Sequence, residues 1–77
     1  MIKSYIEHHE TDETVIFFSN NPHIDIEEEL FIWWEYESEP NWWHNLATTG
    51  SFHITWHGLP AGIVTQELNT FHIYPID

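Results

Sequence analysis

Cysteine and arginine are both absent from this 77-residue chain, and Lys3 is its one Lys or Arg beside seven histidines. Without cysteine there is no disulfide framework and no thiolate metal centre. With so little positive charge the chain has almost nothing to set against phosphates, which argues against direct binding to DNA, RNA or an anionic membrane through a basic patch. No apolar run approaches the ~18 residues of a membrane span, and Met1-Ile2-Lys3-Ser4-Tyr5-Ile6-Glu7 lacks the charged-then-apolar order of a signal peptide, so a cytoplasmic protein is expected. Gly-x-Ser-x-Gly, a cysteine nucleophile and a glycine-rich phosphate loop are missing too, which removes the common sequence signatures of an enzyme.

What the chain does have is acid and aromatic bulk. Thirteen Asp and Glu give a formal net charge of −12, while 42% of residues are hydrophobic and 17% aromatic, including five tryptophans. A small soluble domain needs a net charge of only ~2–8 in magnitude, so the excess costs self-repulsion without a gain in solubility. The aromatic content separates the chain from disordered acidic tails, and its length allows one core: a single domain over 1–77 is expected, burying about 60–65% of the unfolded surface.

Alternation and turn residues predict a mainly β fold (an α+β fold being the alternative), a single antiparallel sheet of four to five strands with one or two short helices. Segments 2–7 and 14–19 read as a hairpin around His8-His9-Glu10-Thr11-Asp12-Glu13, and Asn20-Asn21-Pro22 turns the chain. Over 24–37, Ile24, Ile26, Leu30, Ile32, Trp34 and Tyr36 share one parity, and Asp25, Glu27, Glu29, Glu35 and Glu37 share the other, as on a two-faced strand. Glu28, Phe31 and Trp33 break that pattern. A helix opened by Asn21 and Pro22, with acids in its first turn, is the competing reading for 22–29. Segment 39–46 predicts a short helix with Pro40 at its first position and Gly50 beyond its end. Segment 51–57 predicts a strand with Phe52, Ile54 and Trp56 inward; 58–62 reads as a turn, 63–68 as strand or helix, and 69–74 as a closing strand. Trp34, Tyr36, Phe52, Ile54, Trp56, Phe71 and Ile73 are the candidate core.

Metal binding and catalysis both lack a diagnostic pattern. His53 and His57 fall on one face of the predicted strand about 13 Å apart, too far to share an ion. His8 and His9 point to opposite faces if extended. No metal, no cofactor and no catalytic residue is assigned. Paired carboxylates with tryptophan platforms would suit glycoside hydrolysis, but a domain of this size can scarcely enclose the dry cleft that a general acid requires.

Eleven of the thirteen acids precede residue 40, so the field is lopsided. On a strand, Asp25, Glu27, Glu29, Glu35 and Glu37 would form a row repeating at ~6.6 Å, close to every second phosphate of a DNA strand. Phe31 and Trp33 share the acidic parity, and Trp42 and Trp43 cannot both face inward on a short helix, so exposed aromatics among these are candidate apolar anchors, with a second-face core as the alternative for Trp33. In size, charge and acidic runs such as Ile24-Asp25-Ile26-Glu27-Glu28-Glu29, the chain resembles the small, cysteine-free inhibitors that phages encode against host defences, including anti-CRISPR proteins and other DNA mimics. That resemblance implies a non-enzymatic inhibitor, monomeric or homodimeric, working in the host cytoplasm. It would cover the basic nucleic-acid groove of a host protein such as a CRISPR effector or restriction enzyme, with Asp25, Glu27, Glu29, Trp33, Glu35, Glu37, Trp42 and Trp43 in contact. The alternatives are an immunity protein against a cationic nuclease toxin, a small carbohydrate-binding module using Trp42 and Trp43, and a subunit whose charge responds to histidine protonation.

Overall fold

In the computed structural model, which describes residues 1–76, the first two apolar runs pair as expected: β1 (Ile2–His8) lies antiparallel to β2 (Thr14–Ser19), with Ile6 opposite Val15. The next segment does not continue the sheet. Residues Pro22–Trp34 form a helix, α1, which replaces the expected strand over 24–37 up to Trp34. Three physical features favour it. Pro22 occupies the first turn, where a missing N–H costs nothing, and Asp25 lies in the first turn, near the positive helix end. Glu27-Glu28-Glu29 are good helix formers and poor strand formers. Ile26 and Leu30, four apart, are both fully buried, so one helical stripe grips the core while Ile24 and Ile32 stay exposed.

After α1, Glu35 takes a left-handed conformation (φ 58°), and its N–H closes the helix on the carbonyl of Phe31 at 2.8 Å. The chain then enters β3 (Tyr36–Ser38) and α2 (Trp42–Thr49). Trp42 rather than Pro40 is the first residue of the second helix, with Asn41 as its N-cap, and Gly50 (φ 80°) ends it, with its N–H on the Leu46 carbonyl at 3.0 Å. Three strands follow by hairpins: β4 (Ser51–Trp56), β5 (Leu59–Glu67) and β6 (Thr70–Pro75). The turn expected over 58–62 shrinks to His57 and Gly58, both at positive φ as a tight two-residue hairpin demands. Leu59 and Pro60 already pair with Trp56 and Thr55, and 63–68 is strand to Glu67.

The sheet therefore has six strands, not four to five, and is mixed rather than antiparallel: its order is β2-β1-β6-β5-β4-β3, and β6 runs parallel to β1 with Phe71 beside Ile6. The reason lies in α1. Its thirteen residues span ~20 Å, close to the ~24 Å of five strand spacings, so it carries the chain from one sheet edge to the other. From β3 the chain works back through antiparallel neighbours until β6 meets β1 in the same direction. The two edges, β2 and β3, are thus consecutive in sequence.

Both helices cover one face of the sheet. Ile26, Leu30 and Leu46 pack there against Ile6, Phe17, Phe52, Ile54, Val64, Phe71 and Ile73. Of the candidate core residues, Trp34, at the last position of α1, and Tyr36 are only partly buried, and Trp56, the register partner of Tyr36, is exposed. A bulge between Ile54 and Thr55 leaves Ala61 as an extra residue on β5. Beside it Gly62 presses against β6: a methyl group there would strike the Tyr74 carbonyl and lie 2.9 Å from the Pro75 Cα. Among the described residues, no helix is long and apolar enough to cross a membrane.

Candidate partner-binding surface

Because α1 is a helix, the expected acidic row does not form. Successive odd positions turn by ~200° on a helix instead of lying on one face. Asp25 points toward β2, where its carboxylate accepts a hydrogen bond from the buried Ser19 hydroxyl. Glu29 is half-buried and accepts from the Trp33 indole N–H at 3.3 Å. Glu35 caps the helix, with its carboxylate 4.0 Å from His57 Nε2. Glu37 stands on the edge strand β3, opposite Thr55. The match to alternate phosphates is lost with the row.

What the helix does bring together is a groove between α1 and β3. It has a volume of about 600 Å³, and Ile24, Asp25, Glu27, Glu28, Phe31 and Glu37 are among the residues that line it. Asp25, Glu27 and Glu37 come from the expected set. Ile24, Glu28 and Phe31 do not, because on a strand they divide between opposite faces, whereas on a helix 24, 27, 28 and 31 form one stripe. Phe31 is 52% exposed, and Trp33 stands outside the groove on the last turn, 55% exposed. The lone lysine, Lys3, is on β1 opposite Phe18, beside the far edge of the sheet.

The two adjacent tryptophans of α2 separate. Trp42 packs its ring on Phe52 at 5.3 Å and belongs to the rim of the core, while Trp43 is 61% exposed. They make no shared platform for a sugar ring.

A second cluster stiffens the other end of α1. His8 is buried, and its Nδ1 accepts from the backbone N–H groups of Glu10 and Thr11 at 3.2 and 3.4 Å. The ring proton therefore sits on Nε2 and is donated to the Tyr36 hydroxyl at 2.8 Å. Trp34 stacks near both rings, and its indole N–H reaches Glu13 at 3.1 Å. Burial lowers the His8 pKa and raises that of Tyr36, whereas hydrogen bonds from Thr11 and then Trp34 lower that of Glu13. The β1–β2 turn, the end of α1 and β3 are held as one unit.

Glu39 anchors β3 to β4. Its carboxylate accepts from the His53 backbone N–H and lies 3.1 Å from the His53 ring Nδ1. The backbone hydrogen bond is the main reason its pKa falls below the ordinary carboxylate value, so the ionised form is favoured by folding. This contribution is complete above about pH 4.5 and disappears as pH drops through the lowered folded value. Glu39→Gln is expected to flatten the stability–pH curve below that point. Urea unfolding of both proteins between pH 3 and 6 checks it; parallel curves would contradict the assignment.

One further group escaped sequence reasoning. Glu7 and His9 project from the open face of the sheet at β1, and the parallel pairing with β6 sets His72 beside them. No spacing signal links residues 7 and 9 to residue 72, so only the sheet order reveals the group. Comparison of the chain with family models, with curated proteins and with solved structures returns no match.

Proposed function

We propose that this chain is a non-enzymatic inhibitor that docks its α1–β3 flank onto a basic surface of another protein, of the kind that otherwise receives nucleic acid. The observation that carries the reading is the groove in which Glu27, Glu28 and Glu37 surround the apolar side chains of Ile24 and Phe31, on a molecule of charge −12 whose lysine lies beside the opposite edge. Carboxylates around an exposed aromatic suit a cationic partner twice over: charge complementarity speeds encounter and excludes wrong partners, and the apolar centre supplies the buried anchor. The near-elimination of basic residues is in keeping with such a partner, since any cation on this flank would oppose docking. Trp33, two residues beyond Phe31 and so about 200° around α1, faces away from this flank.

The test is displacement. Labelled duplex DNA bound to purified CRISPR effectors, restriction endonucleases or nuclease toxins is titrated with the protein, and the anisotropy is followed. For the true target the protein releases DNA, a tenfold rise in salt weakens its binding, and Glu27→Lys/Glu28→Lys or Phe31→Ala lowers its affinity at least tenfold. Displacement that is indifferent to salt and to these substitutions would remove the mechanism, as would failure across the panel.

A further inference from the structure

The open face of the sheet, opposite the helices, carries a group of ligating atoms that the proposed docking flank does not use. His9 Nε2 lies 2.9 Å from His72 Nδ1, and the same His72 nitrogen lies 3.4 Å from Glu7 Oε2. One nitrogen from each histidine and one oxygen of Glu7 all fall within 4.8 Å of one another. We propose that Glu7, His9 and His72 form a binding site for a divalent transition-metal ion, with Zn²⁺ as its natural fit.

The distances suit that ion. Ligands 2.0–2.1 Å from a tetrahedral zinc stand about 3.3 Å from each other. The Glu7–His72 edge is already at that length, and the two imidazoles need to part by roughly 0.4 Å. Two imidazoles and one carboxylate select zinc and its neighbours over Mg²⁺ and Ca²⁺, which prefer an all-oxygen shell. Three protein ligands leave a fourth position for water or for a donor from another molecule.

The group is also held in place. Glu7 and His72 are register partners in the β1–β6 ladder, and the His9 backbone N–H continues that ladder to the Ile73 carbonyl at 3.0 Å. The Tyr74 ring lies flat on His9, 4.5 Å away at an interplanar angle of 7°, which fixes the plane of the imidazole. His72 is mostly buried, its side chain 18% exposed. A shallow depression beside the site is lined by Glu7, His9, Asp12 and Glu13, so an approaching cation meets negative potential. Preorganisation of this kind separates the trio from the other histidines: His53 and His57 each face a single glutamate.

Calorimetric titration of the protein with ZnCl₂ in a non-coordinating buffer, with MgCl₂ as control, tests the site. One saturable Zn²⁺ equivalent is expected and no Mg²⁺ response. His9→Gln and His72→Gln should each weaken Zn²⁺ at least tenfold, and His53→Gln/His57→Gln should leave it unchanged. Substoichiometric Cu²⁺ added to the unmodified protein should broaden the NMR signals of His9, His72 and Tyr74 first, a readout that needs no variant to fold. Broadening centred on other histidines, or Zn²⁺ binding that survives both glutamine substitutions, overturns the site, as does the lack of a saturable equivalent below millimolar Zn²⁺. Since the docking flank is on the other side of the sheet, loss of either proposal leaves the other standing.

Discussion

Leu30→Ala is expected to reduce the unfolding free energy by about 2–5 kcal/mol, and Ile32→Ala by less than about 1 kcal/mol. Leu30 is fully buried beneath α1, and with Ile26 it supplies the completely enclosed side chains that hold the helix to the sheet. Ile32 is 57% exposed on the same helix. A domain of 77 residues has only ~4–12 kcal/mol in total, so the first substitution removes a large share of it. Urea unfolding followed by far-UV circular dichroism and tryptophan fluorescence measures both. The contrast is diagnostic because Leu30 and Ile32 share one parity: on a strand they would face the same way and cost similar amounts. Equal losses would therefore overturn the helix, and with it the groove in which Glu27, Glu28 and Phe31 meet.

Gly62→Ala is the second substitution expected to be severe. The added methyl has no free direction, since it meets the backbone of Tyr74 and Pro75 on the neighbouring strand and not the end of a movable side chain. Relief requires β5 and β6 to separate beside the bulge at Ala61, at a cost of about 1–3 kcal/mol or more. Gly58→Ala serves as the comparison, because open space surrounds that position and only its positive φ opposes a side chain. A fall in thermal midpoint for Gly62→Ala no larger than that for Gly58→Ala would show that the strands yield easily here.

Much of the sheet was legible from local pattern. Phe52 and Ile54 alternate with His53 and Thr55, and Phe71 and Ile73 alternate with His72 and Tyr74; the alternation names the buried face at these positions and fails at Trp56, which lies exposed past the bulge. The hairpin of β1 and β2 was legible for the same reason. The segment from Ile24 was not, because its apolar residues satisfy two periods at once. Positions 26 and 30 fit a strand parity and a helical stripe equally, and propensity at Glu27-Glu28-Glu29 decides between them. Once α1 is a helix, Glu29 turns away from the groove, while Glu28 and Phe31 join Asp25, Glu27 and Glu37 along it. The Glu7–His9–His72 group was beyond reach on different grounds: it depends on a parallel pairing between the first strand and the last, a contact between distant parts of the chain that no local pattern encodes.

The outermost strand β2 has a further consequence. Residues 14–19 hold no charge, no proline and no glycine, and Ile16 and Phe18 stand exposed on them, so each molecule presents one unfinished ladder rich in β-formers. Mutual repulsion among copies bearing −12 opposes pairing of that ladder with another chain. Near the isoelectric point of about 4.6 the repulsion vanishes while the ladder stays bare. The acidity that the proposed docking uses against a cationic target is then also what opposes growth of the sheet, edge on edge, into fibrils.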